Sequence, residues 1–260
     1  MTILEQLAEY ANYRVEEAQK KLPLPTLKKL AEELPKGGFI FENSLKKTDL
    51  AFICECKKAS PSKGLIAPDF PYLQIAKEYQ EAGADCISVL TEPKWFLGSD
   101  RYLEEIAKQV SIPLLRKDFT VSPYMIYQAK TMGAAAVLLI CSILDKNQIK
   151  DYISLCDTLG LSALVEAHDE KEIEVALGAG ARIVGVNNRN LKDFTVDTAN
   201  SSKLRSLVPA SVTFVAESGI RSAEDVKLLR GIGVDAVLVG ETLMRAADKK
   251  AELAKLKGII

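Results

Sequence analysis

At 260 residues, 48% apolar and 27% charged, the chain has the composition of a folded globular protein, with enough apolar surface for one large core or two small ones. A net charge of −1 gives no global field for nucleic acid or a membrane surface, so any anion site must be local. Five cysteines without a C-x-x-C pair point to a reducing compartment rather than a disulfide framework.

In chain order, Leu4, Leu7, Ala11, Val15, Ala18 and Leu22 make one apolar stripe and predict a helix. Glu5, Glu9, Arg14, Glu16 and Glu17 in the same stretch are incompatible with the apolar core of a signal peptide. After breaks at Pro23 and Pro25, a second short helix is expected from Thr26 to Leu34. Eight short apolar runs follow: Ala51–Cys56, Asp85–Leu90, Ile112–Arg116, Ala135–Ile140, Ser162–Ala167, Arg182–Asn187, Val212–Ala216 and Asp235–Gly240. Their starts lie roughly 20–35 residues apart, the length of a βα unit, and both faces are apolar, as in parallel strands covered by helices. The longest uncharged run, Thr131 to Leu144, is about fourteen residues, short of the ~20 a membrane helix needs. A cytoplasmic protein is expected.

The segments between the runs read as helices. Ile149, Ile153, Cys156 and Gly160 keep a helical spacing, and Asp145-x-x-Gln148, Asp169-x-x-Glu172 and Ser222-x-x-Asp225 are capping starts. Most joints carry a glycine suited to a left-handed helix end, at Gly83, Gly133, Gly160, Gly180 and Gly233. At Pro113 and Pro209 a proline takes that place. Eight alternations without a composition break predict one (β/α)8 barrel across residues 1–260, with a helical extension over 1–48 and the barrel over 49–260. A doubly wound sheet is the alternative, but it more often has five or six strands. The extension either plugs the bottom of the barrel or covers its mouth.

A barrel places its active site at the C-terminal ends of the strands. Those ends hold Glu55 and Lys57; Thr91 and Glu92; Lys117 and Asp118; Glu166 and His168; Asn187, Asn188 and Arg189; Glu217, Ser218 and Gly219; and Gly240 and Glu241. Glu55 and Lys57 share a parity, so both face inward if either does. Gly185 lies below Asn187 on the same face and is expected to leave room for a ligand. Two lysines and up to three glutamates on one cavity suit acid–base work, although any one of them could be a structural ion pair. The glycine turns at Gly219 and Gly240, each leading into a helix after the last two strands, form a phosphate signature, with the Glu241 backbone N–H serving the anion and its side chain pointing out. His168 reads as a bystander, and with neither a second His nor a nearby Cys no zinc site is expected. Cys54, Cys86 and Cys141 read as inert core in apolar strands. For Trp95, Phe96 and Phe119 a core role and an aromatic pocket remain equal alternatives.

Six segments together resemble the indole-3-glycerol phosphate synthase family: Glu55-Cys56-Lys57-Lys58-Ala59-Ser60-Pro61-Ser62-Lys63-Gly64, Ser88-Val89-Leu90-Thr91-Glu92, Leu115-Arg116-Lys117-Asp118-Phe119, Leu164-Val165-Glu166-Ala167-His168, Gly185-Val186-Asn187-Asn188-Arg189-Asn190-Leu191 and Val215-Ala216-Glu217-Ser218-Gly219-Ile220. The resemblance implies a lyase of tryptophan biosynthesis that closes the indole ring of 1-(2-carboxyphenylamino)-1-deoxyribulose 5-phosphate and expels CO2 and water. It implies Lys117 as the general acid at the ribulose carbonyl, and Glu166 and Lys57 for the proton transfers of dehydration; which lysine protonates the departing hydroxyl stays open. Glu55, Asn187 and Glu217 would position the reacting groups, and Ser60 and Ser218 would complete the polar wall. Lys57, Gly219, Gly240 and the Glu241 amide would hold the phosphate, with Arg189 near the mouth. Pro61, Phe96, Phe119, Leu138 and Leu191 would sandwich the aromatic ring. Loss of CO2 restores aromaticity, so no cofactor and no metal is expected. The only expected partner is the phosphorylated small molecule, acting on a monomer. Trp95, where the family often has a smaller aromatic, and Arg116, before the acid lysine, are the departures. Two rivals remain: a Schiff-base aldolase using Lys117 or Lys57, and a non-catalytic phosphate-binding barrel.

Overall fold

The computed structural model of the protein describes residues 2–46, 49–190 and 194–259. Eight parallel strands close into a ring: β1 (Ala51–Cys56), β2 (Cys86–Leu90), β3 (Leu114–Lys117), β4 (Ala136–Ile140), β5 (Ser162–Ala167), β6 (Ile183–Asn187), β7 (Thr213–Glu217) and β8 (Ala236–Val239). β1 pairs with β8 in parallel, Ala51 beside Ala236 and Cys54 beside Val239. That closing pair makes the fold the expected (β/α)8 barrel and rules out the doubly wound alternative.

Three helices precede the ring: α1 (Ile3–Lys21), α2 (Leu24–Glu33) and α3 (Ile40–Leu45). The helices α4 (Tyr72–Glu81), α5 (Asp100–Ala107), α6 (Pro123–Thr131), α7 (Lys146–Leu159), α8 (Glu170–Gly178), α9 (Ala199–Arg205), α10 (Ala223–Gly231), α11 (Glu241–Arg245) and α12 (Lys249–Lys257) alternate with or follow the strands. The five glycine joints all take positive φ. Asp145 and Ser222 form full capping boxes on α7 and α10. Asp169 caps α8 through the Glu172 N–H alone, because the Glu172 carboxylate turns to His168 instead.

Strand parity sorts the side chains into two cores. Ala51 and Ile53 point into the barrel with Cys86, Leu115, Leu164, Ile183 and Val215. Phe52, Cys54 and Cys56 point outward under the helices. β3 begins after Pro113 rather than at Ile112 and runs on to Lys117, so the lysine ends the strand itself. Cys141 stands one residue beyond β4 rather than in it. Arg116, opposite in parity to Lys117, is buried outside the ring, bonded to Asp100, Thr91 and the Met125 carbonyl.

α2 starts two residues before its expected Thr26, with Pro25 in its first turn, where a missing N–H costs nothing. The expected boundary at 48 lies outside the described residues. The extension grips both ends of the barrel. At the bottom, the six-residue α3, which the sequence pattern does not announce, donates its Glu42 N–H to Ser162 at the start of β5, and its carboxylate takes Arg182 just before β6. At the top, α1 lies along the rim by β2 and β3. Tyr10 meets Trp95 edge to face at 5.6 Å, and Arg14 forks onto Asp118 at 2.6 and 3.0 Å. Thus Trp95 belongs to the α1 contact, and the extension packs at the bottom of the ring through α3 and along the upper rim through α1.

Asp118 is fully buried and receives Arg14, the Thr91 hydroxyl and the Phe119 N–H. Replacing Arg14 with Ala strands that carboxylate. The expected loss is about 2–3 kcal/mol, at the low end for a broken buried pair because Thr91 and Phe119 remain. Urea unfolding of the Arg14→Ala variant measures it.

Candidate active site

The site grows from the upper ends of the inward-facing strand positions. Glu55, the last inward residue of β1, continues the row of Ala51 and Ile53. Its carboxylate accepts Ser88 on β2 at 3.2 Å and Lys57 at 2.6 Å, so the predicted shared parity is observed. Lys117, ending β3, reaches across the mouth to Glu217 on β7 at 2.7 Å and Glu166 on β5 at 3.2 Å. Asn187, ending β6, stands beside Glu217 in register and hydrogen-bonds Glu166.

These charges are all largely buried at the mouth of the ring. Burial opposes the Lys117 charge, but Glu217, Glu166 and Glu55 outweigh it and hold the ammonium protonated well beyond the usual lysine range. Burial also opposes the Glu166 charge, and there Lys117, His168 and the Asn187 hydrogen bond win, keeping its pKa below the ordinary value. Glu55 is held low in the same way, by Lys57 and Lys117 against burial. Glu217 goes the other way: burial, with Glu166 and Glu55 adding to it, pushes its carboxyl above the usual range against the pull of Lys117. Its Oε1 has no hydrogen-bond partner among the described residues.

Gly185 explains how Glu217 fits. A Cβ there would sit 2.2 Å from Glu217 Oε1. The room expected for a ligand under Asn187 is therefore taken by the Glu217 carboxylate. Gly240 plays a like part at the other side, where a Cβ would come within 2.6 Å of Glu55 Oε1 and 2.9 Å of Lys57 Nζ.

A cavity of about 320 Å3 opens above the cluster, within the size range of small-molecule sites. Glu55, Lys57, Ser60, Pro61, Lys117, Glu166, Asn187, Arg189, Glu217, Ser218, Gly219, Gly240 and Glu241 all line it, as do Phe96, Phe119 and Leu138. Leu191 lies outside the described residues. Phe96 and Phe119 face each other with ring centres 6.0 Å apart, forming an apolar wall backed by the cluster that includes Leu7 and Ala11 of α1. None of the described α1 residues lines the cavity.

Across from that wall stand the two glycine turns. Ser218 and Gly219 both take positive φ, and Asn188, buried behind them, holds the Ser218 carbonyl with its amide. Asn188 is thus scaffold, as is Glu92, whose carboxylate gathers the N–H groups of Lys94, Trp95 and Phe96; Asp118 lines the cavity but spends its carboxylate on Arg14 and Thr91. The Glu241 side chain turns to Arg245 at 3.1 Å and Lys63 at 3.8 Å, away from its own backbone N–H. Sequence reasoning missed Lys63, Arg221 and Arg245, which bring three more cations to this side of the cavity. A count of cations just downstream of the two glycine turns would have found the last two. The segment after Lys57 is an ordered hairpin, Ala59–Ser60 pairing with Gly64–Leu65, and the Ala59 N–H donates to the Phe96 carbonyl.

A closed barrel with a lysine–carboxylate cluster at its mouth, an aromatic wall on one side and basic glycine turns on the other is the frame of a (β/α)8 enzyme. Comparison with known proteins agrees. A family model described as indole-3-glycerol phosphate synthase matches residues 4–256. The indole-3-glycerol phosphate synthase of Ruminiclostridium cellulolyticum is 58% identical over 257 residues, covering 98% of this chain and 99% of that protein. That of Lachnoclostridium phytofermentans is 49% identical over 270 residues, covering 99% and 100%. Among solved structures, 3-hexulose-6-phosphate synthase from Salmonella typhimurium has a TM-score of 0.66 at 16% identity, covering 81% of this chain and 98% of that one. The tryptophan synthase complex from Pyrococcus furiosus has a TM-score of 0.61 at 15% identity, covering 81% and 98%. These two share the barrel fold. The chain belongs to the indole-3-glycerol phosphate synthase family.

Gly185→Ala forces the Glu217 carboxylate away from its place against Lys117. Turnover is expected to fall about 10²-fold, the scale of an ångström-sized misplacement, while circular dichroism shows the barrel retained.

Proposed function

We propose that this chain converts 1-(2-carboxyphenylamino)-1-deoxyribulose 5-phosphate to indole-3-glycerol phosphate, a step of tryptophan biosynthesis, with Lys117 as the general acid. The observation that carries the reading is the Lys117 ammonium, held charged by Glu166 and Glu217 on the floor of a cavity with an apolar wall and a basic wall. Phe96, Phe119, Pro61 and Leu138 take the aromatic ring. Lys57, Arg189 and the backbone at Gly219, Gly240 and Glu241 take the phosphate. The reacting ketone then lies between them, over Lys117.

The ring carbon that bears the carboxylate attacks the ketone carbon, and the new C–C bond closes the five-membered ring. The carbonyl oxygen takes a proton from Lys117 and becomes a hydroxyl. The C–CO2 bond breaks, and its electron pair restores the aromatic ring. The hydroxyl then departs as water with a proton from Lys57, or from Lys117 once solvent has reprotonated it, pushed by the ring nitrogen. Glu166 removes the carbon-bound proton that completes the indole. Glu55 and Asn187 hold Lys57 and Glu166 in place, Glu217 holds Lys117, and Ser60 and Ser218 close the polar wall.

A Schiff-base aldolase needs a neutral lysine as nucleophile. Lys117 is held in the opposite state. The free thiols of Cys54, Cys56, Cys141 and Cys156 support the cytoplasm. We take residues 1–260 as one unit, since the extension is packed on both ends of the barrel.

Lys117→Ala is expected to remove indole formation, by 10³-fold or more on the order of a lost general acid and its electrostatic hold, with substrate binding kept. Near-normal turnover in the fluorescence assay for indole-3-glycerol phosphate would refute the role. Glu166→Gln should lower kcat by about 10²–10⁴-fold with far less effect on affinity; a pure binding defect would count against the base. Borohydride with substrate should trap nothing on Lys57 or Lys117, and a covalent adduct would favour the aldolase.

A further inference from the structure

His168 has no part in the steps above, yet it stands against the base. It is two residues beyond Glu166 and shares its inward parity. Its Nε2 lies 3.4 Å from Glu166 Oε1, while Lys117 occupies the other oxygen, Oε2, at 3.2 Å. That Nε2 is buried and has no hydrogen bond among the described residues, so the facing carboxylate is what it is aimed at.

The ring is clamped from behind. Nδ1 lies 3.0 Å from Glu172 Oε2 on α8, and the same oxygen accepts the His168 backbone N–H at 2.8 Å. Ser142, just after β4, donates to the other Glu172 oxygen at 2.5 Å. Asn200 on α9 donates to the His168 carbonyl at 3.1 Å. Asp169, next in the chain, spends its carboxylate on the Glu172 N–H. The ionisable groups around the ring are therefore Glu166, Glu217 and Lys117 on the barrel side and Glu172 on the helix side. Cys141 nearby stays neutral, its thiol pushed up to about 12 by burial, Glu172 and Glu166. Burial disfavours a charged imidazole, but the Glu172 hydrogen bond and the Glu166 and Glu172 charges outweigh it and raise the His168 pKa.

Charge accounting gives this arrangement a task. When Lys117 passes its proton to the substrate, Glu166 loses the cation on Oε2 while still buried. A lone buried carboxylate would then take up a proton and cease to be a base. We propose that His168, held by Glu172, is the second cation of Glu166 and keeps that carboxylate ionised and aimed after Lys117 has given up its proton. His168 is thus a positioning residue that acts through Glu166, and the inference rests on the reading of Glu166 as the base.

His168→Gln keeps a donor for Glu172 and removes the charge. It is expected to lower kcat about ten-fold, leave KM within about two-fold, and move the acid limb of the kcat–pH profile up by about one unit, since Glu166 then holds its proton to higher pH. Glu172→Gln, a change at the rim, should move kcat and the limb the same way by less, and it decides the matter if His168→Gln fails to fold. In a Glu166→Gln background, His168→Gln should cost less than about two-fold more, because the two act as one unit. An unmoved acid limb, or a rise in KM at constant kcat, would overturn the inference. The two readings fail separately. Near-normal turnover in Glu166→Gln removes the base itself, whereas an inactive Glu166→Gln beside an unaffected His168→Gln removes only the part given to His168.

Discussion

A buried ammonium keeps its proton only if carboxylates surround it, and most of the mouth of this barrel follows from that requirement at Lys117. The lysine ends β3, and its partners end β5 and β7, across the ring. Only a closed barrel brings those three ends together. The partners then need support of their own. Glu166 draws on Asn187 and His168, and Glu217 lies in space left by the missing side chain of Gly185. Burial of the cluster strengthens these interactions and raises the cost of leaving any member unpaired.

The same requirement explains why the site is unequal. Three carboxylates face two lysines, so they cannot all be equally charged. Glu55 and Glu166 each have a near cation and more than one hydrogen-bond donor. Glu217 has Lys117 but an unpaired second oxygen, and it carries the imbalance as a raised pKa. Pairs of carboxylates pushed apart in this way are how one cavity holds both proton donors and acceptors near neutral pH.

The barrel was legible because its signals are local and repeated. Five glycine joints, three capping starts and eight short apolar runs mark the alternation, and β1 and β5 fall at the expected residues. β3 moved because Pro113 has no N–H to give and the pairing begins beyond it. The strand-end rule together with the family resemblance collected the residues of the cavity wall, with Glu92 and Asn188 as extra members that turned out to be scaffold. What stayed hidden depends on distant partners. Nothing near Arg14 says that it meets Asp118, and nothing near Gly185 says that a carboxylate from the next strand fills its place. The short α3 and the Ala59–Leu65 hairpin have too few residues for a period to show.

The grip of the extension on both ends of the ring also has a meaning in time. Arg14 waits for a partner 104 residues further on, and Glu42 for one 140 residues further on. Neither contact can form until β3 and the start of β6 have been made. At ribosomal rates of about 5–20 residues per second, the wait is on the order of ten seconds. During that interval α1 must carry its apolar stripe without a core to bury it in. Contacts of such long separation form late, after loop closure has been paid for elsewhere. Helix α1 thus gains its rim partner only after β3 has been made, and the rim that backs the aromatic wall is completed no earlier.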